Sequence, residues 1–141
     1  MARYANSAWK IEIDTTPLAT ATYVEIGGIE DIDWGLAEET WEGFFLKDQG
    51  AGSSDVLAGR LNVSLSGKRE EGDAGQDYIM GLMGTYGAAR KSTLRLTHST
   101  TSDQYTIPCS IEITAPGGGA SEDLSAFECT LHSDGAWTAS A

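Results

Sequence analysis

The sequence predicts a mainly β protein, a β-sandwich or partly closed β-barrel flanked by one α-helix, in a single domain spanning residues 1–141. Three observations predict it. Apolar residues recur with period two along most of the chain, the mark of strands with one buried face. A single stretch switches to helical spacing. Glycine is abundant, 17 residues against 3 prolines, which reads as many turns. So many half-buried strands and one amphipathic helix need either two packed sheets or one sheet closing on itself.

The elements follow in order. Trp9, Ile11 and Ile13 alternate with Lys10 and Glu12. Thr22 to Ile26 is rich in β-branched and aromatic residues, and Gly27-Gly28 makes a bend or bulge after it. An acidic strand follows. The segment from Gly43 to Asp55, starting Gly-Phe-Phe-Leu-Lys and rich in Gly and Ser, reads as a long loop. Leu61, Val63 and Leu65 alternate with Asn62 and Ser64. The helix reads over Tyr78, Ile79, Leu82, Met83 and Tyr86, with Asp73 as N-cap and Gly84 and Gly87 marking its end. Leu94, Leu96 and His98 make the next strand. Tyr105, Ile107, Cys109, Ile111 and Ile113 hold one parity, and Pro108 on the other parity implies an edge or a bulge. A Gly-rich turn from Ala115 to Asp123 precedes the last strong strand, Phe127, Cys129 and Leu131.

Composition excludes several functions. Nine Lys and Arg stand against 21 Asp and Glu, a formal net charge of -12, which is the wrong sign for gripping nucleic-acid phosphates or an anionic membrane. No apolar run is long enough to span a membrane, and the first residues carry no secretory h-region, which fits cytoplasmic synthesis. Cys109 and Cys129 read as buried free thiols or as a disulfide between neighbouring strands, both of which stay open. The Asn62-Val63-Ser64 triplet reads as chance in that context.

Motifs for catalysis are scarce. His98 and His132 both end strand patterns and lack any metal-ligand spacing. No serine stands in a Gly-x-Ser-x-Gly context. Gly50-Ala51-Gly52-Ser53-Ser54 lacks the Lys and the following helix of a phosphate loop. A calcium frame starting at Asp31 puts Glu42 at its twelfth place but Leu36 where glycine is required. The chain therefore reads as a non-enzyme with no cofactor and no metal.

Two features remain. Trp41, Phe44, Phe45 and Leu46, followed by Lys47 and Asp48, put an apolar cluster at the start of the long loop. Such a cluster either tucks onto its own core or is covered by another subunit. Glu30, Asp31, Asp33, Glu38, Glu39 and Glu42 form a run with no Lys or Arg, either a solvated face or the lining of a space where negative charge repels a polyanion. Alternation puts Asp31 and Asp33 on one face and Glu30 on the other. Glu38 and Glu42 share a face with Thr40 if the strand is unbroken past Gly35.

The order of these pieces resembles the major tail proteins, or tail tube proteins, of tailed bacteriophages of the long-tailed siphophage kind. The residues that carry it are Tyr23-Val24-Glu25-Ile26-Gly27-Gly28-Ile29, then Glu38-Glu39-Thr40-Trp41, the run Leu57 to Gly67, and a late Phe127-x-x-Thr130-Leu131-x-x-x-Gly135 signature. The resemblance implies a structural virion protein whose subunits form hexameric rings stacked into a tube. Its implied partners are other copies of itself, a tape measure protein and tail-tip or terminator proteins. Double-stranded DNA would pass through the lumen without sequence-specific binding. It implies assembly in the host bacterial cytoplasm and residence in the phage tail. It makes the Trp41–Asp48 residues interface candidates and the six acids lumen candidates. The inner tube of a contractile tail or related injection system shares the layout. A stand-alone receptor- or carbohydrate-binding β-sandwich is the reading of another class, and would need Trp34, Trp41 or Trp137 on an exposed face.

Overall fold

The computed structural model describes residues 3–44 and 50–140. Eight antiparallel strands make one continuous sheet: β1 Trp9–Asp14, β2 Tyr23–Glu25, β3 Ile29–Phe44, β4 Gly52–Lys68, β5 Lys91–His98, β6 Gln104–Ala115, β7 Ala126–Ser133 and β8 Thr138–Ser140. The order across it is β2-β1-β5-β6-β7-β4-β3, with β8 beside the first residues of β6. Of the two architectures that the alternation allows, the strand order realises the partly closed barrel. β1 and β3 are far apart in that order, yet the Trp9 and Trp34 rings pack at a tilt with centroids 5.4 Å apart, and Tyr105 of β6 meets both. The sheet must therefore curl until its ends approach.

The alternating residues fill the inside of the curl. Ile13, Val63, Leu65, Leu94, Leu96, Ile107, Cys109, Phe127, Cys129 and Leu131 are all buried. Each such side chain is worth roughly 1.5–3 kcal/mol of burial. Pro108 is tolerated inside β6 because β7 pairs only from Cys109 onward and β8 only up to Thr106. On that side Pro108 sits in a gap, so no ladder bond needs its missing N–H.

The helix, α1, runs from Ala74 to Gly81 and packs against β2 and β6 with Ile79 buried in the core. Asp73 caps it as expected, its Oδ2 accepting from the Gln76 N–H at 3.0 Å. The same oxygen accepts from Gly27 N–H, tying the helix to the β2–β3 bend. Gly28 has φ +73°, and a Cβ there would lie 2.5 Å from the Lys68 carbonyl oxygen, so the bend needs glycine on both counts. The expected apolar stripe is shorter than its spacing suggested. Ile79 is buried, but Met83 and Tyr86 lie beyond the helix end and are exposed.

The two cysteines do not pair. Cys109 stands opposite Ser133, while Cys129 stands opposite Ile113, four positions along β6. Burial pushes both thiols up to about 12. At pH 8 a thiol reagent should therefore label the folded protein roughly a thousandfold more slowly than the unfolded chain. Rapid labelling of two thiols in native buffer would show that β6 and β7 open.

Candidate assembly surface

Of the described residues in the expected loop from Gly43 to Asp55, Gly43, Phe44 and Gly52 to Asp55 are strand. β3 runs to Phe44 and β4 begins at Gly52, with the ladder Thr40↔Val56, Trp41↔Asp55, Glu42↔Ser54, Gly43↔Ser53 and Phe44↔Gly52. Gly and Ser in these positions suggested a loop. They are tolerated because these strand ends pair with each other and hold no buried residue among those described. β4 meets β7 from Asn62 onward, so residues 36–44 and 52–60 leave the sheet as a two-stranded arm about 30 Å long. Its root is held by the end of β7. Ser133 Oγ accepts from Leu61 N–H at 3.0 Å, and the His132 ring lies between Asn62 Oδ1 at 3.1 Å and Glu112 Oε1 at 2.6 Å. This use of His132 is structural. So is that of His98, which is buried against Tyr4 and Trp9 and accepts two backbone N–H groups at Nδ1.

No described residue of the arm from 38 to 59 is buried in the core, although Leu36, Val56 and Leu57 share a shallow depression with Trp137. Phe44 is 78% exposed, and Leu36, Val56, Leu57 and Trp41 are exposed with it. Phe45, Leu46, Lys47 and Asp48 lie outside the described residues. Trp34 is unavailable for an exposed aromatic binding face, because it packs inside against Trp9 and Tyr105.

Apart from Glu30, the acids divide as alternation dictates. The strand is unbroken past Gly35. The extra residue at the arm's bulge is Leu57 on β4, so the parity of β3 holds through Phe44. Asp31 and Asp33 face away from the core and share a shallow depression with Ser64, Ser66, Thr114, Glu128 and Thr130. Glu39 continues that parity outward. Glu112, opposite Thr130, adds a further acid to the same face. Glu38, Thr40 and Glu42 share the opposite face of the arm with Leu36, Val56 and Phe44. Glu30 is the extra residue of a bulge between Ile29 and Asp31. Sequence reasoning missed Glu112 and Glu128 as members of this face. Their parity on β6 and β7 was readable, but only the strand order brings them beside β3.

The half-sheet β6-β7-β4-β3 ends in two open edges. Among the described residues no strand pairs with the outer edge of β3. β5 covers β6 only from Gln104 to Ser110, which leaves residues 111–115 without a strand on that side. There Arg90 Nη1 donates to the Ile111 carbonyl at 3.1 Å. Three antiparallel steps separate β6 from β3, so the two edges run in opposite directions. No group of three metal-ligating side chains occurs among the described residues, and none of their helices is long and apolar enough to cross a membrane.

No family model and no curated protein matches the chain. Solved structures do match. A chain of "Virion of native gene transfer agent (GTA) particle" aligns at TM-score 0.72 and 14% identity, over 99% of this chain and 100% of that one. A chain of "Tail of empty GTA particle computed with helical refinement, C6 symmetry" aligns at TM-score 0.71 and 16% identity, with 99% and 100% coverage. A chain of "Cryo-EM structure of the anti-feeding prophage cap (AFP tube terminating cap)" aligns at TM-score 0.63 and 10% identity, covering 99% and 92%. The fold is thus the one found in these phage-like tail and tube particles.

Proposed function

We propose that the protein is a tube-forming subunit of a phage-like tail, a structural protein without catalysis whose copies join edge to edge into hexameric rings that stack. The observation that carries this reading is the pair of open edges on one half-sheet. Rotation about a ring axis preserves strand direction along the axis. The β6 edge of one copy would therefore meet the β3 edge of the next antiparallel, as every other pair in the sheet does, and a closed ring leaves neither of these two edges exposed. The likeness to tail and tube particles, one of them with C6 symmetry, supports the same reading.

Continuing the half-sheet around a ring sets one face of it toward the axis. The face away from the core, with Asp31, Asp33, Glu39, Glu112 and Glu128, suits a lumen through which double-stranded DNA moves. Like charge keeps phosphates from sticking, and repetition around rings adds to the field. Glu30 lines a depression with Ser7, Trp9 and Glu25 rather than the one with Ser64 and Thr130, and Glu38 and Glu42 belong to contacts between copies. The arm, with Trp41, Phe44 and the tip residues Phe45 to Asp48, serves those contacts between subunits or between rings. Tape measure and terminator proteins are the further partners this reading requires. The inner tube of a contractile tail or related injection system is a close variant of this reading.

The test is direct. Purified protein, concentrated alone or with its tail-assembly partners, should give rings or tubes in negative-stain images. A persistent monomer under both conditions would overturn the reading.

A further inference from the structure

The end of α1 carries a patch that the fold itself leaves uncovered. Tyr86 is 78% exposed and Met83 is 55% exposed. The Arg90 guanidinium lies 5.6 Å from the Tyr86 ring centroid and holds that ring in place. Arg90 also donates to Thr85 and Ile111 carbonyls but forms no ion pair among the described residues. An apolar surface with an unneutralised cation thus stands directly beside the open edge of β6, on the core side of the sheet, where α1 packs.

The arm carries the complement. Its core-side face displays Leu36 and Val56 with Glu38 and Glu42, and no cation is on that face among the described residues. If β3 of a second copy continues the sheet at the β6 edge, its core side must fall on the same side as α1. That is the side on which the patch lies.

We infer that the Met83–Tyr86–Arg90 patch is the receptor for the arm of a neighbouring copy, with the Leu36 face packing on Met83 and Tyr86 and a glutamate of the arm pairing with Arg90. The inference rests on the ring reading and names where the arm lands. Apolar contact supplies the area, and the charge pair sets the register. The interaction is asymmetric, arm to patch, so it propagates from copy to copy around a ring.

The experiment compares the wild-type protein with Tyr86→Ser, Arg90→Glu, and Arg90→Glu combined with Glu38→Arg, by sedimentation velocity and negative stain. Tyr86→Ser should raise the concentration for half-assembly at least tenfold while leaving the monomer's circular dichroism unchanged. Arg90→Glu should abolish assembly and the charge-exchanged double variant should restore it. Arg90 also braces two carbonyls, so a second measurement is independent of folding. Leu36→Cys mixed with Met83→Cys should form disulfide-linked dimers, and neither variant should do so alone, because Cys109 and Cys129 are buried. Wild-type rings with unchanged assembly of Tyr86→Ser and no cross-link would overturn this inference alone. Absence of wild-type rings would overturn the ring reading and this inference with it.

Discussion

Replacing residues 38–59 with a two-residue Asn-Gly turn, so that Ala37 and Arg60 close a short hairpin, is expected to give a stable monomer that forms no rings. The excised strands hold no buried residue among those described, and the core on β4 begins at Leu61. Removal should therefore change folding stability by no more than about 1 kcal/mol, the range of surface changes. Assembly should disappear, because an isolated two-stranded ribbon is marginal in water and this one exposes aromatic and aliphatic residues on both faces. Urea denaturation measures the first half of the prediction and sedimentation velocity the second. A variant that unfolds would make the arm part of the core. A variant that still assembles would make the arm dispensable for the contacts assigned to it.

The second large effect is expected at Gln76. Its side chain is completely buried yet makes four hydrogen bonds. Nε2 donates to the carbonyls of Gly27 at 2.6 Å and Lys68 at 2.9 Å, and Oε1 accepts from Glu70 N–H at 2.8 Å and Arg69 Nη1 at 3.1 Å. One amide thus joins the β2–β3 bend, the end of β4 and the start of α1. Gln76→Ala strands several of those groups and leaves a void, a loss of about 3 kcal/mol or more. The urea midpoint should fall by about 1.5 M. Gln76→Met keeps the volume and loses the bonds, so a comparable fall there would assign the effect to hydrogen bonding. A fall below about 0.3 M in both variants would mean that water replaces the amide freely.

Neither effect was equally visible in the sequence. Gln76 gave no signal, because a lone glutamine after a helix cap looks like any exposed polar residue. Only the meeting of three backbone segments around it makes it structural. The arm was half visible. Its apolar cluster stood out, but Gly52-Ser53-Ser54 disguised the strand, since strand propensity reflects packing and these residues are not buried in the core. Helical spacing predicts Met83 and Tyr86 on the apolar stripe of the helix; α1 stops at Gly81, so they are exposed and become part of a surface instead.

The sequence by itself determined which residues turn inward. Period-two alternation is a property of the strand backbone, so Ile13, Val63, Leu65, Leu94, Leu96, Ile107, Phe127 and Leu131 declared their burial locally. So did the capping of the helix by Asp73, which depends on neighbours three residues apart. Tertiary structure alone decided what no local rule encodes. The order of strands unites Asp31 and Asp33 with Glu112 and Glu128 on one face, and sends Glu38 and Glu42 to the other side of the arm. The same order leaves β3 and the last residues of β6 as opposed open edges. Side-chain direction follows from a residue's own backbone, whereas adjacency and the absence of a neighbour depend on how distant segments pair.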